Sequence, residues 1–486
     1  HARVGAIDIY GTTGQLLNTL TLSTLTSGMI TDGKLTWAQS YDTLILCHED
    51  LKTQKILRTG STTFTIADFP WESQTTGAVA GYPVWQPFYK YAASSVTISA
   101  SSISAGSTVT LTTSDSYFST QQVNDILRVG GKQVLITATT GATVATAQIK
   151  AALSSTNATD DWDEQAFSTY RGWPMCPAFF PDRMVLFGAK SRPSGLWLSK
   201  VGAYFNFDVG AAADADAIWE GVAGARARYV ESSRFLVLFG DRDFYYIPTS
   251  ASNPLTPANF SVVKQQPYGC AQVRPRLFDE AFLFVQHTGS VVREALWEDT
   301  LQSHAATPIS LLAPHLVSGG STYSAPTGLA VLYGRQASPE QYALLLASSG
   351  QLSIFHSVRE EKLAAWVPWE TTGTVKQIFD VDTEVFTFVE RALSTGTVLT
   401  LEKFTDTGEA LDCQMALNAA STAATTTFTG ATQFAGKDVH IVSMGHYLGS
   451  TTVSSSGVVT LPTLAPETTG INIGYKFTQE VTPMPA

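Results

Sequence analysis

Short apolar runs return along this chain at intervals of roughly 40 to 60 residues, each set between a polar turn and a loop leading to another strand-like segment. The runs are MVLFG (184–188), FLVLFG (235–240), AFLFV (281–285), YALLLA (342–347) and VFTFV (385–389). They are too short for helices and rich in β-branched and aromatic residues, which predicts buried strands. Each follows a turn dipeptide such as Pro181-Asp182, Asp279-Glu280 or Val381-Asp382, and neighbouring segments such as DFYYIP alternate faces. The units fall at 35–72, 178–209, 226–248, 275–298, 329–370 and 375–404. Several strands in so short a repeat is the pattern of a propeller blade. The absence of any GH…WD pair excludes WD40 and kelch repeats. Aromatic clusters close several units (FPWE, YFNF and WVPWE) and are expected to wedge between neighbouring blades.

Two segments break this rhythm. From about Ser94 to Thr159 the chain turns to Ser, Thr, Ala and Gly, with the strand KQVLIT and two helix-compatible stretches, QQVNDIL and VATAQIKAAL. From about Leu411 a second module alternates in VHIV, GVVTL and INIGYKF with Gly and Pro punctuation. The chain is therefore expected to be mainly β, a β-propeller-like core with a small inserted β domain and a small C-terminal β module. The divisions are 1–93 (first part of the propeller), 94–160 (insert), 161–410 (remainder of the propeller) and 411–486 (C-terminal module).

A chain of 486 residues exceeds what one core organises, so two to four domains are expected. A hydrophobic fraction of 44%, with 25 Phe, 17 Tyr and 10 Trp, describes a folded protein and excludes disorder. Charged residues make up only 15%, leaving a neutral polar surface that a partner buries at little desolvation cost. The net charge of −11 and the lack of any Lys/Arg-rich run exclude a general nucleic-acid binder. No apolar run is long enough for a membrane-spanning helix. The start, HARVGAIDIY, carries neither a signal-peptide pattern nor an initiator Met, which reads as a processed or internal start, with a reducing compartment as the default origin.

Tests for chemistry find no G-x-S-x-G elbow, P-loop, GxGxxG fingerprint, HExxH helix or sialidase box. Cys47, Cys176, Cys270 and Cys413 lie far apart among apolar neighbours and read as buried free thiols. His440 and His446 lack a third ligand nearby in sequence and read as a partly exposed strand-and-turn pair. His287 falls at a hairpin turn. Asp160, Asp161, Asp163 and Glu164 form the densest acidic cluster. Glycosidic hydrolysis and calcium binding are its functional alternatives, but one acidic loop does not set a carboxylate separation, and a solvated domain junction is expected. Asp214 and Asp216 read as caps before a short helical turn. No catalytic residue, cofactor site or metal site is assigned.

One segment, YRGWPMCPAFFPDRMVLFGAKSRPSGLWLSKVGAYFNFDV (170–209), resembles the tail hub or nozzle proteins of tailed bacteriophages, the packaged-DNA stabilisation family. The matching positions are Arg171 to Pro174, Arg183, Val185, Gly188, Ser191 to Pro193, Trp197, Ser199, Gly202, Tyr204 and Phe207. Gln39, Ser40, Asp42 and Arg58 match a Q-S-x-D segment and its later Arg, the VRE of residues 292–294 matches the family's V-R-E, and Ser310 to Leu316 match S-L-L-A-x-H-L. The tail segment ending QEVTPMP resembles the family's terminal module, and many relatives carry a small β insertion where 94–160 falls.

The resemblance implies a structural subunit of the virion tail, assembled in the host bacterial cytoplasm. It implies a closed homo-oligomeric ring, expected as a hexamer, lining the DNA channel and helping to retain and release the genome. Implied partners are portal or adaptor proteins, tail fibre or tailspike proteins, and passing genomic DNA without sequence-specific contacts, with no membrane insertion. A receptor- or carbohydrate-binding tail component is the alternative, and a glycan-degrading propeller enzyme ranks last. Trp197, Tyr204 and Phe207 are expected to be buried.

Overall fold

A polar turn followed by a run of unbroken apolar residues leaves a strand few options but the middle of a sheet, and that is where these runs lie. Arg183–Ala189, Leu236–Gly240 and Ala281–Val285 are second strands of four-stranded antiparallel sheets and are buried along their whole length. The turns before Arg183–Ala189, Ala281–Val285 and Glu384–Leu393 adopt the left-handed backbone of a tight hairpin: Asp182 (φ 59°), Asp279 and Glu280 (43° and 66°) and Asp382 (55°).

The computed structural model describes residues 1–74, 81–250, 254–334, 340–359, 361, 363–404, 411–417, 426–443, 445–461 and 471–478. The boundary at 410 and the terminal QEVTPMPA lie outside the described residues. The protein is all-β, with 52% of the described residues in strands and 3% in helices, arranged as many small antiparallel sheets, none of which closes on itself among the described residues. No helix among the described residues is long and apolar enough to cross a membrane. The chain divides into two compact units, His1–Gln272 and Val273–Ala486.

The first unit contains three meanders in which neighbours in the sheet are neighbours in the chain. Meander I spans 36–68, meander II 174–221 and meander III 227–266. Their first strands, Thr36–Ser40, Pro174–Phe180 and Ala227–Ser232, pack in series side by side. Gly188, on the second strand of meander II, permits a close approach to the first strand of meander III. At φ 70° it sits beside a bulge in meander II, and a Cβ there would lie 2.3 Å from the Cβ of Ala227 in meander III. A three-stranded sheet, Ala2–Arg3, Ala6–Tyr10 and Leu16–Thr21, precedes meander I and shares an apolar cluster with it through Leu25, Leu46 and Leu51.

Between meanders I and II lies a seven-stranded sheet. Its order is Phe88–Tyr89, Trp162–Gln165, Ile126–Val129, Lys132–Gly141, Val144–Ile149, Thr108–Thr113, Ile98–Ala100. It has its own apolar cluster, including Ile98, Leu111, Leu127, Val134, Ile149 and Trp162. Neither helix-compatible stretch here is an α-helix. In VATAQIKAAL, Ala145, Ala147 and Ile149 point inward in alternation along a strand, so burial with period two overrides the helix propensity of alanine. QQVNDIL is a single 3₁₀ turn, Thr120–Gln122, boxed by Ser119, followed by the strand at Ile126.

The second unit carries meanders IV (276–308) and V (326–369) and a three-stranded meander VI (374–403). Their first strands again adjoin in series. A C-terminal sheet, ordered Asp412–Leu417, Ile471–Tyr475, Asp438–Ser443, His446–Thr452, packs around Phe434, Val439, Ile441 and Ile473. Arg391 ties meander VI to it: buried at 1% exposure, it donates to both Glu402 oxygens at 2.6 and 2.7 Å and to Thr371, whose hydroxyl donates to Asp412 at 2.8 Å.

Candidate functional site

The 170–209 segment and the ends of the inserted sheet together build the most elaborated region of the first unit. Strand Trp162–Gln165 carries side chains of the acidic cluster, and it does not leave them in solvent. Glu164 is fully buried; it accepts from Arg171 Nη2 at 2.6 Å, from Gln122 at 3.1 Å and from the Tyr117 hydroxyl. The Arg171 guanidinium is held over Tyr91 and Tyr170, 4.1 and 4.5 Å from their ring centres. Asp163 takes a two-pronged contact from Arg128, with Nε at 2.9 Å from Oδ1. The expected solvated junction is thus corrected for these two carboxylates: each is committed to an arginine from a neighbouring strand or loop, because a buried carboxylate persists only when paired. Asp160 and Asp161 remain exposed.

Beside this pair lies Asp125, 5% exposed, which accepts from Gln165 Nε2 at 3.1 Å through Oδ1 while its Oδ2 has no hydrogen-bond partner. Burial, reinforced by the nearby Glu164 charge, pushes its carboxyl up to about 7. Gly172, at φ 82°, follows Arg171 in a turn where a Cβ would collide with Lys190.

Arg183 opens the central strand of meander II and is 2% exposed. It donates only to backbone carbonyls: Ser199 at 2.6 Å, Asp216 at 2.7 Å, Asp214 at 3.0 Å and Leu255 at 3.2 Å. It therefore fixes the loop 199–217 to its own strand. Asp214 and Asp216 lie in that loop in a turn and not before a helix; the Asp216 carboxylate accepts from Ala213 N at 2.9 Å and from Lys200 at 3.1 Å.

Trp197 and Phe207 are buried as expected, at 1% and 3% exposure, but Tyr204 is 36% exposed and lies edge-on to Phe179 at the surface. The FPWE and YFNF clusters meet each other: Phe69 contacts Phe205 at 5.1 Å and Trp71 contacts Phe207 at 5.5 Å, with Phe167 bridging to Trp197 at 4.7 Å. WVPWE belongs to the outermost strand of meander V and reaches both neighbours there, Trp366 donating to Ile309 after meander IV and Trp369 lying 5.6 Å from Phe404 after meander VI, though Trp369 stays exposed.

A cavity of about 320 Å³ opens where the insert meets meander II. Its walls are aromatic, from Phe88, Tyr89, Trp197, Phe207 and Trp219, and its polar lining comes from Gln86, Lys90, Arg128 and Asp163. Tyr89 stands edge-on to Trp219 at 5.4 Å, Trp219 stacks on Trp197 at 6.2 Å, and Arg128 covers Phe88 at 4.2 Å. The indole N–H of Trp197 is buried without a hydrogen-bond partner.

The other predicted positions lie apart from this region. Cys47, Cys176 and Cys270 are buried free thiols; desolvation pushes Cys47 and Cys270 well above the usual thiol range. Cys413, half-buried beside Glu402, is raised too. His440 contacts the Tyr447 hydroxyl at 3.0 Å, His446 is exposed at the start of the next strand, and His287 is exposed at its hairpin. No group of three or more metal-ligating side chains occurs among the described residues. Ser310 ties its loop to Val292 at 3.0 Å, yet the two leucines after it project outward, Leu311 at 70% and Leu312 at 94% exposure. Nothing in the sequence marks Leu311, Leu312 and the strand Leu363–Trp369 as exposed, because apolar residues inside a β pattern carry no sign of facing outward. Phe88, Tyr89, Lys90, Arg128 and Trp219 gave no signal, being brought together only by tertiary structure.

No family model and no curated protein matches the chain. Similar solved structures include a protein from Lactobacillus plantarum, 11% identical over 70% of this chain and 99% of that one, with a TM-score of 0.30. An auxiliary nutrient binding protein from Bacteroides thetaiotaomicron is 8% identical over 63% and 83%, with a TM-score of 0.26. The WD40 repeats of RRP9 are 10% identical over 74% and 91%, with a TM-score of 0.31. At these scores the likeness decides neither fold nor function.

Proposed function

We propose that this chain is a structural, non-enzymatic subunit of a bacteriophage tail: a nozzle or hub protein with a β-propeller-like core that forms a closed ring around the DNA channel and helps retain and release the genome. The observation that carries the assembly part of the reading is the strand Leu363–Trp369. It is the outermost strand of meander V, with six of its seven residues exposed and no charge among them. Proteins that stay single guard such edges with charge, short strands or cover. Pro368 withholds one ladder donor, so the surface is suited to side-chain packing more than to strand addition. Trp366 anchors it by donating to Ile309 at 3.0 Å, next to the exposed Leu311 and Leu312. Ring closure needs each subunit to offer two different complementary faces, and an open apolar strand is one such face.

Support for the propeller-like core comes from the meanders: in each unit three follow one another with first strands adjoining and last strands outward. The matched residues of the 170–209 segment support the phage reading, since Arg171, Arg183, Gly188 and Trp197 each hold a junction in place. Glu164 and Asp163 are engaged by arginines, which favours a scaffold over hydrolytic use of the acidic cluster. Portal or adaptor proteins and tail fibres are the proposed partners, and the virion tail the proposed location.

The test is the mass of the purified chain in solution, alone and with a Val367→Lys variant. The reading expects closed multiples of the 52.2 kDa chain and their loss on placing a charge in the strand. A chain that assembles identically with Lys at 367 would remove the strand from the interface.

A further inference from the structure

From the cavity between the insert and meander II, we infer that the first unit binds a single neutral saccharide ring there, an inference independent of the assembly reading. The volume, about 320 Å³, is at the lower end of the ~300–1,000 Å³ typical of ligand sites and suits one ring and not an extended chain. The walls offer flat π-faces and edges, chiefly Trp219 and Tyr89, against which the C–H face of a pyranose packs without loss of hydration on its other side.

The polar groups decide the class. Both donors and acceptors line it: Lys90 and Arg128 can donate, and Asp163 and Gln86 can accept. A hydroxyl is both donor and acceptor, so a polyol matches such a mixed lining where a hydrocarbon or a simple anion does not. Trp197 forms part of the wall; its indole N–H is itself buried without a hydrogen-bond partner. Behind the wall, Arg192 lies flat over Tyr89 and Trp219, 4.0 and 5.4 Å from their ring centres, with its Nε also unpartnered. A phosphate or carboxylate is disfavoured, because the Asp163 carboxylate faces the same space and already occupies the fork of Arg128.

The rim is accessible for a clean block. Val209 lines the cavity at 38% exposure, so a larger side chain there obstructs the mouth with little demand on the core. The experiment is ligand-observed saturation-transfer NMR on the full chain, with the methyl glycosides of glucose, galactose, mannose and N-acetylglucosamine, and with inorganic phosphate binding followed by ³¹P line width. The inference expects transfer to the ring protons of at least one glycoside, in the millimolar range, with no phosphate response. Val209→Trp should weaken it about tenfold, a single 1.4 kcal/mol step, and Lys90→Met, made because it alters the lining from a different segment of the chain, should weaken it too. Absence of transfer from all four glycosides, transfer untouched by both variants, or a response to phosphate alone would each overturn the inference.

Discussion

The Arg171 guanidinium closes on the fully buried Glu164 carboxylate, Nη2 to Oε2 at 2.6 Å, and does so at the point where the inserted sheet meets meander II. Arg171 itself is only 14% exposed on its side chain and rests on tyrosine rings. A pair like this is a poor source of net stability, since both ions were stripped of water, but an expensive one to break.

Arg171→Met should therefore destabilise the first unit by about 3–5 kcal/mol, because it strands a buried carboxylate. Arg171→Met combined with Glu164→Leu should recover much of that loss. Denaturant unfolding of the single and double variants measures both quantities, and a single-variant loss below about 1 kcal/mol would show that Tyr117 and Gln122 satisfy the carboxylate without the arginine.

Acid should favour the first unit through Asp125. Folded, its carboxyl keeps a proton up to about pH 7, while in the unfolded chain it ionises near 3.8. The folded state holds more protons between these values, so this contribution is complete below 3.8 and is lost as pH rises through about 7. Asp125→Asn should flatten that part of the stability profile and raise stability at alkaline pH. An unchanged profile would mean that the unpartnered oxygen is solvated.

The second unit should respond in the opposite sense through His304. Buried at 3% exposure and edge-on to Trp297 at 5.0 Å, its imidazole is pushed down to about 4 from 6.5. The unfolded chain binds the extra proton in that window, so the contribution is complete above 6.5 and falls away as pH drops through about 4. It amounts to about 3 kcal/mol at most. Stability profiles of the wild type and His304→Gln should converge in slope above pH 6.5 and diverge below it; parallel profiles throughout would exclude His304 as the source.

Within the 170–209 motif, two aromatic positions should behave differently. Trp197→Ala should cost about 3–5 kcal/mol, as other large-to-small core changes do. Tyr204→Ala, at the surface, should stay within about 1 kcal/mol. Equal losses would mean that Tyr204 supports the fold through contacts beyond its ring pairing with Phe179.

The strands were readable in the sequence wherever burial was two-sided. MVLFG and AFLFV announce themselves as unbroken apolar runs, and the turns before them carry Asp or Glu in left-handed backbone. Reading failed where two periodicities competed, as at Val144–Ile149, where alanines fit a helix and a half-buried strand equally well. It failed again where orientation was at stake: Leu312 and Leu344 are the same residue type in β-rich surroundings, yet one is 94% exposed and the other 1%. The candidate site was least legible of all. Tyr89, Arg128, Asp163 and Trp219 come from four separate strands, and nothing local in the sequence relates them. The commitment of Glu164 was hidden for the same reason, since Arg171 is near in sequence but Tyr117 and Gln122 are not.

The most direct test of the account is a reconstruction of the intact phage particle with this chain located in it. The account predicts a closed ring on the tail axis, with Leu363–Trp369 at a subunit boundary. With 41 acidic against 30 basic residues, it also predicts a channel wall that is not net positive, so that DNA slides past it and is retained by a steric constriction. A peripheral position on the tail, or an axial ring whose wall carries a continuous band of Lys and Arg, would contradict it.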